Sequence, residues 1–367
     1  GGGGGRDPEP APGQRRPPDP GPLRRRLGGG VGAGWRQVLC AHPASNGMLV
    51  ATVCKHGDDQ IMLRFGLCCI FRDAPVRFRQ TTAKVLLQLS SADRHARLSS
   101  LCLENAENLL TALETVHTLG IGAFRVLSPL LPRYTHPEVG YQLAELADGD
   151  AIMAIFRQVN RQRQLWDIRL SFHPDQFVLL SSPNPEVTRK SIAELDYQAM
   201  LAEQIGADVI NIHGGGVYGD KQAALQRLRE NFNHLPERVQ QRLTLENDDV
   251  SYTMADLLPV CRDLNLPLVY DVHHHRCNPD GLSVAAATQA CLETWQKSDR
   301  GEPYLHLSSP KHGWEDGDPK PHADMIDPED FPTEWRSLDA TVDIEAKAKE
   351  RAVLALMEAL RQTDPRH

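Results

Sequence analysis

Residues able to bind metals recur along this chain at the ends of short apolar runs. In "YDVHHHRCNP", residues 270–279, an apolar run ends in an acid and three consecutive histidines. The same pattern occurs in "LSFHP", "INIHGGG", "LTLENDD", "YLHLSS" and "VDIEAK". A single histidine at a strand end is most often a hydrogen-bonded structural residue, but so many unpaired polar groups pointing at one axis would be very costly to bury. The joint pattern therefore predicts a metal cluster.

The ligand types indicate which metals would bind. Imidazole nitrogen and carboxylate oxygen without cysteine favour Mn²⁺ or Zn²⁺, with Fe²⁺ or Co²⁺ as further candidates, over Mg²⁺ or Ca²⁺. More than one ion is expected, because one site needs only three or four protein ligands and the candidates number about eight. Such clusters turn bound water into hydroxide and clamp the attacking and leaving oxygens of a phosphoester. Hydrolysis of a phosphodiester is the predicted reaction class.

The elements that must position these residues follow a regular order. Strands are predicted at residues 62–69, 123–127, 169–173, 208–213, 243–247, 268–273, 304–308 and 341–345. Helices are predicted between them at residues 92–119, 185–205, 221–233, 283–296 and 346–362. These alternating units favour a closed (β/α)8 TIM barrel, in which the carboxyl ends of all strands meet at one face. An open doubly wound sheet is the second interpretation.

The first 60 residues differ in composition from the rest of the chain. They are rich in Gly, Pro and Arg and have almost no apolar periodicity, so they cannot offset the entropy of ordering. We predict a disordered tail at residues 1–60 and a TIM-barrel domain with the metal site at residues 61–367. Residue 1 is not Met, and Met62 opens the first strand, so the domain is expected to begin there. A basic tail that helps to hold nucleic acid is the alternative.

Bulk properties limit the class of protein further. The formal net charge of −8 argues against coating nucleic acid by the overall field, although it allows a locally basic cleft. The cysteines show no CxxC pair, and no apolar run reaches the roughly 18 residues of a membrane span. The "GGG" after His213 lacks the GxGxxG spacing of a dinucleotide site. We expect an intracellular, cytoplasmic protein with no membrane partner and no nucleotide cofactor.

The motifs together resemble one known family. The set "SFHPDQF", "NIHGGGVYGDK", "LENDD", "YDVHHHRCNP", "HLSSPK", "PHADMI" and "VDIEAKAKE" resembles the UV damage endonuclease family, which is related to the endonuclease IV type of abasic-site nuclease. The similarity runs over residues 62–361. It implies a (β/α)8 barrel with two or three divalent metals, usually manganese, and an enzyme that nicks damaged double-stranded DNA 5′ of a photoproduct or other lesion.

The resemblance also implies a set of metal ligands. The first metal would be held by His173, His213 and Glu246. Glu246 would bridge to a second metal, whose other ligands would be Asp271, His306 and Glu345.

A third metal would be held by His274 and His322. The family's D-x-x-H spacing selects His274 among the three consecutive histidines, so that His273 would tolerate an apolar residue and His275 would support the site or face DNA. His136, in "RYTHPEVGY", matches another family histidine near the cleft, although a plain loop histidine is equally compatible with the sequence. Glu246, His136 and His322 are the residues expected to take part in catalysis.

Further positions match the part of the family that handles DNA. Gln176 and Phe177 correspond to a pair, usually Gln-Tyr, that probes the distorted duplex, since a planar ring can fill the gap left by an extruded lesion. Lys221, Arg125 and Arg133 are candidate phosphate contacts on loops of the same face. Simple packing of Phe177 is the alternative.

Two departures from the family pattern stand out. The family has a carbamate-modified lysine two residues before the histidine of strand seven, where this chain has Tyr304, so that the third metal would be weak, absent or held by Asp318 or Asp324. In strand one, the tyrosine and asparagine thought to line the lesion cleft are replaced by Leu67 and Phe71.

The sequence therefore predicts a monomeric, nucleoid-associated DNA repair endonuclease. Three alternatives remain at this point: a xylose-isomerase-like sugar isomerase or epimerase, an abasic-site endonuclease, and a lesion-binding protein that does not cleave.

Overall fold

The computed structural model describes residues 38–43, 49–54, 63–298 and 300–363. Two units are distinguished, residues 1–60 and residues 61–367. In the first unit, strands β1 (Val38–Pro43) and β2 (Leu49–Cys54) pair antiparallel. The rest of the predicted tail and the predicted domain start at Met62 lie outside the described residues, so the disordered tail stays a prediction.

The second unit is a closed barrel of eight parallel strands in the order β10-β3-β4-β5-β6-β7-β8-β9. The strands are β3 (Leu63–Cys68), β4 (Ala123–Val126), β5 (Arg169–Phe172), β6 (Val209–His213), β7 (Leu243–Glu246), β8 (Leu268–Asp271), β9 (Tyr304–Leu307) and β10 (Ala340–Ile344). Strand β10 pairs with both β3 and β9 and so closes the cylinder. The predicted (β/α)8 barrel is confirmed, and the open sheet is wrong.

Helices surround the barrel. They are α1 (Ala83–Leu87), α2 (Ser91–Thr118), α3 (Gly149–Leu165), α4 (Pro185–Ile205), α5 (Lys221–Phe232), α6 (Glu237–Gln240), α7 (Met254–Leu264), α8 (Val272–Cys277), α9 (Val284–Ser298) and α10 (Glu350–Gln362), with 3-10 turns at Leu143–Glu145, Pro328–Asp330 and Thr333–Ser337. The predicted helices correspond to α2, α4, α5, α9 and α10. None of the described helices combines the length and the apolar composition needed to cross a bilayer.

Helix α4 shows why a helical boundary could be predicted from sequence. The Asn184 side chain accepts a hydrogen bond from the amide of Glu186, and Pro185 occupies the first turn, where its missing N–H costs nothing. The helix ends at Gly206, whose φ of 78° is left-handed, a conformation that glycine adopts readily. Start and stop signals are therefore both local to the sequence.

The end of β8 is a correction to the predicted strand at residues 268–273. The strand stops at Asp271, and helix α8 begins at Val272. The Asp271 carboxylate accepts a hydrogen bond from the amide of His274 at 2.7 Å, so it caps the new helix. The three consecutive histidines thus lie on a short helix, where the first of them was expected to end an extended strand.

The lower barrel interior, near the amino ends of the strands, contains a layer of buried charged side chains. Glu302 accepts hydrogen bonds from Arg64 Nε at 2.7 Å and from the Thr341 hydroxyl at 2.6 Å. Arg169 lies 3.6 Å from the same carboxylate, and its guanidinium lies 4.1 Å from the centre of the Tyr304 ring. Tyr304 thus belongs to this layer, beneath His306 on the same strand.

A buried carboxylate at the start of α10 connects this last helix to the loop after the first barrel strand, β3. Glu350, at the start of α10, accepts hydrogen bonds from the backbone amides of Arg72, Asp73 and Ala74, at 2.7, 2.6 and 3.3 Å. Burial raises the pKa of Glu350, but these donors outweigh burial and hold the pKa below its usual range. The loop after β3 is thereby fixed beside the mouth of the barrel.

We expect Glu350→Gln to lower the free energy of unfolding by roughly 1–3 kcal/mol, since hydrogen bonds to a charged acceptor are lost. A depressed pKa stabilises the fold above the unfolded-state value of about 4.3, and this contribution disappears as the pH falls through the folded-state pKa. Denaturant titrations at neutral and acidic pH measure the difference. The matched control Glu358→Gln, at an exposed residue, should leave stability unchanged. Equal neutral-pH stability of Glu350→Gln and wild type would contradict the prediction.

Candidate metal centre

Glu246, the last residue of β7, lies at the centre of the polar cluster and is completely buried. His173 Nε2 lies 3.0 Å from one of its oxygens, and His306 Nδ1 lies 3.0 Å from the other. The side-chain amide of Asn211 donates a hydrogen bond to it. His274 Nδ1 is 3.4 Å away. Strands β5, β6, β7 and β9 and helix α8 therefore converge on one carboxylate.

Two groups of three ligand atoms are close enough to hold a cation. The first consists of His173, His213 and Glu246, and the second of Glu246, Asp271 and His306, with the ligand atoms of each group within 4.8 Å of one another. Both groups share Glu246. The resemblance implied the first group and these three members of the second, together with Glu345, and in the structure the members of each group of three lie close together in space.

The two imidazoles of the first group have surroundings that favour metal binding. His173 Nδ1 lies 3.1 Å from the carbonyl oxygen of Pro174. Since a carbonyl can only accept, this contact favours a proton on Nδ1 when a metal takes the lone pair of Nε2. The His213 ring centre lies 5.0 Å from that of His173, and burial lowers the pKa of His213, which favours the neutral, ligating form.

Glu345 extends the second group toward the barrel axis. Its carboxylate lies 3.5 Å from His306 Nδ1 and 2.6 Å from the guanidinium of Arg125. Burial raises the pKa of Glu345, but the positive charge of Arg125 outweighs burial and the pKa is lowered well below its usual range. Glu345 is therefore a carboxylate at neutral pH, as a metal ligand must be.

The remaining two candidates lie at the edge of the cluster. His274 Nδ1 is 3.0 Å from the carbonyl oxygen of Asn247, which leaves Nε2 free to ligate. The ring centres of His274 and His322 are 6.2 Å apart. His322 belongs to the long loop after β9, which is held by a bridge between Pro310 and His322. The third metal position stays a prediction.

Two pKa shifts in the cluster reflect the opposite charges that it brings together. Burial raises the pKa of Glu246, but the positive charge of His306 and the hydrogen bonds from His173 and His274 outweigh burial and lower the pKa well below its usual range. Burial lowers the pKa of His274, yet Asp271 and Glu246 raise the pKa well above its usual value. At both residues, attraction between opposite charges therefore outweighs desolvation.

Two buried ligand atoms remain without a hydrogen bond among the described residues, His213 Nδ1 and Asp271 Oδ2. Leaving buried polar atoms unpaired is costly, and a cation that accepts their lone pairs would remove the cost. The donor set, its charge and these unpaired atoms fit divalent metals.

The other two consecutive histidines take structural positions. His273 is fully buried, with its ring 5.2 Å from Trp314 and 5.1 Å from His322 and its Nε2 3.2 Å from the carbonyl oxygen of Lys320. It thus braces the loop that carries His322. The expected DNA-facing position of His275 is wrong, because it is buried between Tyr270 Oη at 2.6 Å and Asp280 at 3.2 Å.

The candidate DNA contacts occupy three different kinds of position. Gln176 and Phe177 are exposed, and 72% of Phe177 is accessible to solvent. Lys221 begins α5 and forms an ion pair of 2.7 Å with Asp256. The placement of Arg125 on a surface loop is wrong. It lies inside β4, buried against Asp343, Glu345 and His306.

Several expected residues lie away from the cluster. His136 lines a surface pocket with Tyr134 and Arg238, and no hydrogen bond, ion pair or ring contact joins it to the cluster within the described chain. Leu67 and Phe71 belong to the hydrophobic core and do not line a cleft. Phe71 stacks on Phe124 of the neighbouring strand β4, with the ring centres 5.6 Å apart.

Two buried polar residues of the centre were missed from the sequence. Asn211 donates to Glu246, and Asp343 accepts from Arg125 Nε at 3.1 Å. The available signal was strand alternation, because Asn211 precedes His213 by two residues and Asp343 precedes Glu345 by two residues, so each pair shares a face.

The closed parallel barrel, with its functional side chains at the carboxyl ends of the strands, defines a (β/α)8 protein of the enzyme type. The model of the UV-endonuclease UvdE family matches residues 63–365. The UV DNA damage endonuclease of Bacillus velezensis is 34% identical over 313 residues, which cover 82% of this chain and 94% of that protein. The chain belongs to the UV-endonuclease UvdE family.

Solved structures agree with this assignment. The crystal structure of SacUVDE aligns with a TM-score of 0.72 at 27% identity, covering 82% of this chain and 99% of that chain. Endonuclease IV from Thermus thermophilus aligns with a TM-score of 0.52 at 18% identity, covering 82% and 98% of the two chains. The second likeness shows the shared barrel fold alone.

We expect His274→Ala to weaken Mn²⁺ binding by roughly 100-fold or more, because a ligand is lost, whereas loss of an outer contact costs roughly 10–100-fold. His273→Ala should change Mn²⁺ affinity less and should instead lower the melting temperature, since it removes packing beneath Trp314 and His322. Calorimetric titration and thermal unfolding of both variants separate the two effects. Equal losses of affinity would mean that His274 is not the ligand.

Proposed function

We propose that this chain is a metal-dependent DNA repair endonuclease that nicks double-stranded DNA on the 5′ side of UV photoproducts or other helix-distorting lesions, leaving a 3′-hydroxyl and a 5′-phosphate. The observation that carries the proposal is the pair of ligand groups sharing the buried carboxylate of Glu246. Membership of the UV-endonuclease UvdE family supplies the substrate class.

The residues present assign a role to each part of the centre. His173, His213 and Glu246 would hold one metal, and Asp271, His306 and Glu345 would join Glu246 at the second, with manganese preferred and zinc possible. His274 and His322 would hold a third. When bound, the metals supply an activated water and neutralise charge on the phosphate.

The protein itself orients these ligands and excludes water from beneath them. The Asn211 amide and the Pro174 carbonyl fix Glu246 and His173, so the ligand atoms are held in position before DNA arrives. His136 is proposed to act in catalysis from the cleft edge, although its pocket lies apart from the cluster.

Lesion recognition is proposed for the loop after β5. The Asp175 side chain accepts a hydrogen bond from the amide of Phe177 at 3.1 Å, and the neighbouring Val178 is buried. The loop is therefore anchored on both sides of an exposed ring. Phe177 would enter the gap in the base stack, with Gln176 beside it, and Lys221 would contact backbone phosphate.

Family membership favours this function over the alternatives. A sugar isomerase or epimerase would use the same barrel and strand-end ligands, but the family match over residues 63–365 is to endonucleases. A lesion-binding protein that does not cleave would not need two complete ligand groups. Abasic sites are proposed as further substrates because they also distort the duplex.

Purified protein with Mn²⁺ should nick UV-irradiated supercoiled plasmid and spare the unirradiated form. Glu246→Gln should lower the rate by roughly 100-fold or more, because it removes a ligand shared by both metals, while Glu358→Gln should retain activity. An end-labelled duplex with one photoproduct maps the cut. Wild-type protein that binds Mn²⁺ without nicking irradiated DNA would refute the proposal, as would full activity in Glu246→Gln.

Phe177→Ala should reduce kcat/KM on photoproduct DNA roughly 5- to 150-fold, because stacking of one base on an aromatic ring contributes roughly 1–3 kcal/mol. Its affinity for Mn²⁺ should not change. The matched control is Leu165→Ala, which shortens an apolar side chain that is 64% exposed and lies near the amino ends of the strands. If both variants cleaved like wild type, Phe177 would not be the wedge.

A further inference from the structure

Asp343 is a buried carboxylate inside the barrel that the proposed ligand set does not use. It is 1% exposed, and its Oδ2 atom accepts a hydrogen bond from Arg125 Nε at 3.1 Å. Its Oδ1 atom has no hydrogen-bond partner within the described chain. A Cβ on Gly66 would clash with Oδ1, so the absence of a side chain at Gly66 makes room for this carboxylate.

The two nitrogens of His306 face different surroundings. Nδ1 points to the metal-binding side, 3.0 Å from Glu246 and 3.5 Å from Glu345. Nε2 points to the other side, 2.9 Å from the guanidinium of Arg125 and 3.9 Å from Asp343 Oδ2. The ligand atom of His306 is therefore Nδ1.

A metal bound at Nδ1 takes the lone pair of that nitrogen, so the proton of the neutral ring must be on Nε2. A guanidinium has only donors and cannot accept this proton. The contact between Arg125 and Nε2 thus matches the opposite tautomer, with the proton on Nδ1 facing Glu246. Asp343 is the carboxylate next to Nε2 that can accept the proton.

We infer that Asp343 is a positioning residue that selects the metal-binding tautomer of His306 by accepting a hydrogen bond from Nε2–H when metal is bound. The Arg125 guanidinium has to move away from Nε2 when this hydrogen bond forms. Its ion pairs with Asp343 and Glu345 keep it inside the barrel. Carboxylates that orient a ligating histidine in this way raise metal affinity. The inference rests on the proposed function, because it presumes a metal at His306.

The test compares Mn²⁺ affinity in Asp343→Asn, Asp343→Ala and wild type by calorimetric titration. Asp343→Ala removes the acceptor and should weaken binding by roughly 10–100-fold. Asp343→Asn retains an acceptor oxygen of similar shape and should lose less. The control Glu302→Gln disrupts a comparable buried carboxylate–arginine pair in the lower layer and should lower thermal stability without changing affinity.

A second measurement reads the tautomer directly. In Zn²⁺-loaded protein labelled with ¹⁵N-histidine, long-range proton–nitrogen correlations should place the His306 proton on Nε2, and the signals are assigned by their loss in His306→Gln. Exchange of this proton with water should accelerate in Asp343→Ala. A general loss of stability would accelerate exchange at other histidine rings as well, so acceleration at His306 alone would indicate the specific contact.

The possible results are distinct. A proton on Nδ1 in zinc-loaded wild type would overturn the inference, even if Asp343→Ala failed to fold. Unchanged affinity in both Asp343 variants, or an equal loss in Glu302→Gln, would also overturn it. Failure of wild-type protein to bind Mn²⁺ or Zn²⁺ would overturn the proposed function itself, whereas metal binding with an unaffected Asp343→Ala would overturn only the role of Asp343.

Discussion

Glu246 carries a negative charge at a position that solvent does not reach. A buried carboxylate is tolerated only where cations or hydrogen-bond donors surround it, and the upper barrel satisfies this requirement by directing imidazoles from β9, from α8 and from the end of β5 at the two oxygens. The positions of His173, His274 and His306 are consistent with that requirement. Strand alternation in a closed barrel makes the convergence possible, because all carboxyl ends face the same side.

The barrel interior contains two charged layers that differ in one respect. In the lower layer, Glu302 is neutralised by the protein's own Arg64 and Arg169. In the upper layer, His213 Nδ1 and Asp271 Oδ2 are buried without a hydrogen bond among the described residues. The Tyr304 hydroxyl of the lower layer is also buried without a hydrogen bond among the described residues, but the carboxylate of that layer is neutralised by guanidinium groups. In the upper layer the atoms without a hydrogen bond belong to an imidazole and a carboxylate, which can ligate a cation, and this difference distinguishes a candidate metal centre from an ordinary buried ion pair.

Much of this arrangement could be predicted from sequence, because it depends on local signals. Apolar runs mark the eight strands, and strand ends place Glu246 and His306 at the same face. Other features depend on tertiary contacts. The end of β8 is set by the hydrogen bond between Asp271 and the amide of His274, and a histidine run contains no sign of it. Arg125 falls within the predicted strand at residues 123–127, although it was counted among loop residues. That its side chain points into the barrel to meet Asp343 and Glu345 depends on tertiary contacts that sequence does not show.

The exposed ring of Phe177 has a consequence for how the protein would search DNA. Asp175 accepts a hydrogen bond from the amide of Phe177, and the ring is exposed to solvent. In the proposed role as a wedge, the ring would meet a base step without prior ordering of its loop, so that little ordering entropy would be lost at that encounter. Discrimination between intact and damaged steps would then lie with the duplex. A step that unstacks easily admits the ring, and a well-stacked step resists it. Under the proposed function, the deformability of DNA would be the quantity that the protein reads.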